Sequence, residues 1–148
     1  MSEVTAAAPL SRWHLGLSLH GWVLEAPLKD FHDSHVWERS HRLTLAIYAV
    51  TLKFPREELY GLTSQIRRCA VSVGANIAEG CGKMGNNEFQ RYLQIASGSA
   101  SELDYELLVA KDLGYLANPD YAKIADELSQ IRKMLSALLR KVNVDRRG

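Results

Sequence analysis

Residues 86–110 read NNEFQRYLQIASGSASELDYELLVA, and the apolar positions inside this run decide the fold. Phe89, Leu93, Ala96, Ala100, Leu103, Leu107 and Ala110 recur at steps of 4, 3, 4, 3, 4 and 3. Steps of three and four put these side chains on one stripe of an α-helix, whereas a strand would alternate every second residue. Asn87 with Gln90 makes a capping-box pattern at the start. Midway, Ala96-Ser97-Gly98-Ser99-Ala100-Ser101 is a run of small residues that lets a neighbouring helix come close.

The same rhythm extends to both sides. Upstream, Val36, Ser40, Leu43, Ile47, Val50 and Phe54 form a stripe from about Ser34, closed by Pro55, which pushes the residue before it out of the α region. Arg56 to Gly61 reads as a short connection holding one helical turn. Ile66, Ala70, Val73, Ile77 and Gly80 follow, with Cys69 and Asn76 on the same face. The spacing predicts that this second helix begins at Thr63 or Ser64 as N-cap, with Leu62 before it, and that Gly80, Gly82 and Gly85 end it. Downstream, Asn118-Pro119-Asp120 is a turn, and Tyr121, Ile124, Leu128, Ile131, Leu135, Leu138 and Val142 make the last stripe. Four heptad-like segments with short connections predict an all-α fold: an antiparallel up-down-up-down four-helix bundle with left-handed packing over residues 31–143. Residues 144–148 read as a polar tail.

Residues 1–30 differ. Trp13, Leu15, Leu17, Leu19, Trp22 and Leu24 cluster there, but His14, Gly16 and His20 interrupt the apolar centre and Arg12 alone supplies a cationic start. A signal peptide is therefore rejected, and a poorly ordered extension is expected.

A chain of 148 residues, 47% apolar, suits one domain with a real core. Its formal charge of +1 excludes a polyanion or a generic nucleic-acid magnet, yet the charge is unevenly placed. Residues 86–118 carry two basic and five acidic residues, and residues 119–148 seven and four. Either the last helix packs its basic residues over the acidic third helix, or it offers a local basic face to phosphate. Cys69 and Cys81 form no CxxC and would lie about 18 Å apart along one helix, so reduced thiols in the cytoplasm are expected. No run approaches the roughly 20 apolar residues of a membrane span.

A helix bundle invites a di-metal site, which needs Glu-x-x-His on two helices. None exists, and His14, His20, His32, His35 and His41 all precede the second helix. The last three read as solvated histidines near a helix start. Ser97, Ser99 and Ser101 have no histidine base nearby, and no phosphate loop or dinucleotide fingerprint is present. No catalytic residue, metal ligand or cofactor is expected, and the chain reads as a non-enzyme.

The most specialised stretch is Val73-Gly74-Ala75-Asn76-Ile77-Ala78-Glu79-Gly80-Cys81-Gly82, where polar and glycine residues interrupt an apolar stripe. Asn76 and Glu79 either set helix register or meet Arg67, Arg68 or Lys83 of a neighbouring subunit. Gly98, Ser99 and Glu102 join them as expected register or interface residues. Lys53, Arg56, Arg67, Arg68 and Lys83 form the expected nucleic-acid-binding set, whose charge would add up around an assembly axis.

Three runs carry a family resemblance. They are Phe54-Pro55 through Glu58, Tyr60-Gly61-Leu62-Thr63-Ser64-Gln65-Ile66-Arg67-Arg68; Asn76-Ile77-Ala78-Glu79-Gly80; and Phe89, Arg91-Tyr92-Leu93, Ile95-Ala96, Gly98-Ser99-Ala100 and Glu102-Leu103. From about Phe31 to Val142 the chain resembles the four-helix bundle proteins named for intervening sequences within bacterial 23S rRNA genes. These are similar to the accessory variability protein of diversity-generating retroelements. Gly74 stands where family members often carry proline. The resemblance implies a homo-oligomeric barrel, commonly a pentamer, without known catalytic residues. For the retroelement relatives it also implies a basic surface that binds RNA or DNA and a reverse transcriptase. A protein-interaction module, docking a partner through the small-residue face of the third helix or the apolar segment Trp13–Leu24, is the alternative.

Overall fold

The computed structural model describes residues 30–148 apart from Met84 and Arg146, so the reading of residues 1–30 as an extension falls, Asp30 apart, outside the described residues. Four helices follow one another: α1 (His35–Thr51), α2 (Leu62–Cys81), α3 (Asn86–Asp112) and α4 (Asn118–Asp145). No strand occurs among the described residues, and the chain is all-α. Each helix packs on its neighbours in the sequence and α1 closes on α4, the ring that short connections favour.

The stripes read from the sequence form the interior. Ile47, Ile66, Ile77, Leu93, Leu103, Leu107, Leu128, Ile131 and Leu135 are fully buried, at roughly 1.5–3 kcal/mol of hydrophobic stabilisation each. All seven α3 stripe residues are buried; Val50, Tyr121 and Leu138 are half-buried at the margins. Small side chains set the distance between α2 and α3. Ala96 and Ala100 are wholly buried, and a Cβ on Gly80 would stand 2.9 Å from Tyr92 Cβ and 3.1 Å from Phe89 Cδ2. Gly80 therefore lies inside α2 as a packing glycine, and the helix runs on to Cys81. Gly74 does not interrupt α2 either.

Two helix starts depart from the sequence reading, and α1 ends at Thr51, three residues before Phe54, its expected last stripe position. α2 starts at Leu62, and neither Thr63 nor Ser64 caps it. Its N-cap is Gly61, and Glu58 supplies the missing acceptor by taking the Leu62 N–H at 2.9 Å. That carboxylate comes from the 3₁₀ turn Arg56–Glu58, the helical turn expected after Pro55. At α3 the expected Asn87–Gln90 capping box does not form. The helix already begins at Asn86 behind Gly85, whose φ of 101° suits glycine, and no side chain caps it. The α1 start is as expected, with Ser34 Oγ accepting the Trp37 N–H at 3.4 Å.

Charged pairs tie the ring together. Arg39 forks onto Glu127 with two 2.7 Å bonds, joining α1 to α4, and Arg132 meets Asp104 at 2.8 Å, joining α4 to α3. The second pair is direct complementarity between the basic last helix and the acidic third one. Among the described residues, no helix is long and apolar enough to cross a membrane.

Candidate functional site

Two regions of the bundle hold most of the residues that the sequence singles out. The first is a cleft of about 240 Å³ between α2 and α3, lined by Gln65, Arg68, Cys69, Ser72, Ser99, Glu102 and Glu106. Cys69 and Ser72 lie one turn apart on α2, facing Ser99, Glu102 and Glu106 on successive turns of α3. Ser72 and Ser99 hydroxyls are bonded at 2.9 Å, and the Cys69 thiol donates to the Ser99 carbonyl at 3.1 Å. Asn76 Nδ2 donates to the Ser72 carbonyl at 2.8 Å and to Ser72 Oγ at 3.1 Å, extending this polar seam by one turn.

Glu106 is the unusual member. It is 7% exposed, and its Oε2 has no hydrogen-bond partner. Burial, then the nearby Glu102 carboxylate, pushes its pKa up to about 7, while Arg68 pulls in the other direction. Burial, then the two glutamates, raises the Cys69 thiol to about 12. A thiol protonated so firmly is a poor nucleophile at neutral pH. Cys69 Sγ and carboxylate oxygens of Glu102 and Glu106 all lie within 4.8 Å of one another.

The second region is the α1–α2 end. Lys53 and Arg56 are exposed there, and so is Tyr60 on the same connection, at 94%. Leu45, Tyr48 and Leu52, also exposed, follow one another at three and four residues along α1 toward the same end. Arg67 is half-buried and held against α1, with Nε donating to Thr51 Oγ1 at 2.9 Å and its guanidinium 4.8 Å from the Tyr48 ring centre.

The five expected basic residues thus divide among three places. Lys53, Arg56 and Arg67 gather at the α1–α2 end, Arg68 lines the α2–α3 cleft, and Lys83 lies beyond the opposite end of α2, about 24 Å from Arg67 along the axis. Of the expected register or interface residues, Asn76, Ser99 and Glu102 belong to the cleft or its seam. Glu79 is exposed, with Lys83 at 3.9 Å, and Gly98 is exposed, where an added Cβ would meet nothing within 4 Å. Of the described histidines, His32 bonds Asp30 at 2.7 Å, and His32 and His41 both pack on the Trp37 ring, with ring centres 5.3 and 5.2 Å from it.

The sequence model of the 23S rRNA-intervening sequence protein matches residues 32–137. The chain belongs to this family. The match spans all of the first three helices and most of α4, so both regions of this 23S rRNA-intervening sequence protein lie inside the family fold. Among solved structures the bundle is similar to a protein of unknown function from the S23 ribosomal protein family of Bacteroides thetaiotaomicron. The TM-score is 0.66 at 24% identity, over 71% of this chain and 95% of that one. That likeness shows the fold. No curated protein matches the chain.

Cys69 was visible in the sequence as a stripe residue, but Glu106 was missed as a site residue. Its one signal was the like-charged pair Glu102 and Glu106, four residues apart on the same face as a cysteine one helix away.

Proposed function

We propose that this 23S rRNA-intervening sequence protein is a non-enzymatic homo-oligomer, a pentamer by family resemblance, that binds nucleic acid at the α1–α2 end. The observation that carries the reading is the exposure of Tyr60 on the same α1–α2 connection as the exposed Lys53 and Arg56. An exposed aromatic ring on a connection that also carries cations offers a stacking surface to unpaired bases, and the cations neutralise phosphate. Leu45, Tyr48 and Leu52 form the apolar stripe on which a second copy would dock, bringing further basic ends alongside. Summed over an assembly, these charges would act as the +1 of one chain cannot. The protein partner implied by the retroelement relatives is a reverse transcriptase.

Light scattering and RNA binding across a salt series test this together. The expected mass is several times the 16.6 kDa of one chain. Affinity should fall steeply with salt, and Tyr60→Ala should remove about 1–3 kcal/mol of binding. A stable monomer overturns the assembly, and absent or salt-insensitive binding overturns the nucleic-acid role. Assembly without RNA or DNA binding would leave a protein-docking module, for which the exposed Leu59 and Tyr60 supply the apolar contact.

A further inference from the structure

The α2–α3 cleft carries more polarity than a packing seam requires. A buried acceptor left without a partner costs about 1–3 kcal/mol, and more when charged, whereas an apolar side chain at position 106 would avoid that cost. Glu106 is such an acceptor, and its carboxylate belongs to a group of three donors drawn from two helices. Glu102 stands at the exposed mouth, Glu106 on the buried wall one turn further along α3, and Cys69 opposite them on α2. The Ser72–Ser99 bond fixes the two helices at this level.

From this arrangement we infer that the cleft binds one zinc-like divalent cation through Cys69 Sγ and the carboxylates of Glu102 and Glu106. A sulfur with two carboxylate oxygens is a mixed donor set suited to borderline-soft zinc, whereas magnesium and calcium favour oxygen alone. With bonds of about 2.0–2.3 Å, donors around a tetrahedral zinc stand roughly 3.3–3.8 Å apart. The three atoms here, within 4.8 Å of one another, therefore close by about 1 Å. Glu102, exposed and at the mouth, is free to make that movement.

Binding releases protons to solvent: the thiol proton leaves and the sulfur lone pair becomes the bond to the metal, and any proton on Glu106 leaves likewise. Three anionic donors around a dication give the site a net negative charge, which Arg68 at the same cleft offsets. Three protein donors leave one coordination position for water or a fourth ligand. The inference stands apart from nucleic-acid binding, since none of the three donors lies at the α1–α2 end.

The test is titration of the chelator-treated full chain with cobalt(II), a spectroscopic substitute for zinc. The expected result is a sulfur-to-cobalt charge-transfer band saturating at one ion per chain and abolished by added zinc. Cys69→Ser should remove the band, Cys81→Ser should keep it, and Glu106→Gln should weaken binding at least about tenfold. Circular dichroism confirms that each variant is folded. The inference fails if no band develops below about 1 mM cobalt. It fails equally if folded Cys69→Ser keeps the band, or if folded Glu106→Gln binds as tightly as the parent.

Discussion

At position 106 a carboxylate sits between the turns that carry Leu103 and Leu107, and the interior closes over it. Folded Glu106 keeps its proton to about pH 7, whereas the same carboxyl in the unfolded chain releases it near 4.5. A raised carboxylate pKa means that the folded state binds the proton more tightly. Its stabilising contribution is therefore complete below the unfolded value and lost as pH rises through about 7. Among the groups that face it, Glu102 reinforces this direction and Arg68 opposes it. In metal-free protein, Glu106→Gln should be the more stable form at pH 8 by about 1–2 kcal/mol and should lose that advantage at pH 4. Urea melts at the two pH values measure this, and equal stabilities throughout would show that Glu106 ionises freely in the folded chain. Glu127 has the opposite sign. The Arg39 side chain bonded to it holds its pKa down, so its contribution is lost as pH falls below the ordinary carboxylate range. Sequence alone could not place Glu106, because Glu102 and Glu106 four apart read equally well as a solvated face. Burial is decided by how near α2 comes.

The helices themselves were legible because apolar spacing of three and four is a property of each segment alone. Phe89 through Ala110 and Ile124 through Leu135 needed no tertiary information, and all their stripe positions are buried. Helix starts were less legible, since a cap can come from outside the helix. Thr63 and Ser64 carry suitable hydroxyls, but the acceptor at the α2 start is Glu58, from the preceding turn. Gly61 makes room for it: a Cβ there would lie 2.7 Å from Glu58 Oε2. Glu58→Ala should accordingly destabilise the fold by about 1 kcal/mol, the typical worth of a lost cap. In a domain of this size that is about 2–4 °C in Tm by calorimetry. A matching loss in Thr63→Ala with none in Glu58→Ala would return the cap to the hydroxyl. The turn after α3 behaves locally, with Gly114 at φ 78° and the Tyr115 N–H returning to the Ala110 carbonyl at 2.9 Å.

At the scale of the whole molecule, the residues with least to do inside one chain are the most informative about assembly. Gly98 lies on the outer side of α3 with open space where a Cβ would be, and Glu79 lies exposed on α2. Within a lone bundle, Gly98→Ala should be stabilising by about 0.5–1 kcal/mol, because alanine is the better helix former and meets nothing. Glu79→Ala should there cost at most about 0.5 kcal/mol, since an exposed pair four residues apart on a helix contributes little. If α2 and α3 face a second copy at these positions, both substitutions act differently. The added methyl intrudes between subunits, and loss of the carboxylate removes a cross-subunit partner for a cation. The expected outcome is that each variant keeps its helix content while its assembly dissociates at a protein concentration where the parent stays intact. Sedimentation over a dilution series reads this directly. Unchanged mass in both variants, with Gly98→Ala simply melting higher, would move the subunit contact off this face and leave the Leu45–Tyr48–Leu52 stripe of α1 to carry it alone.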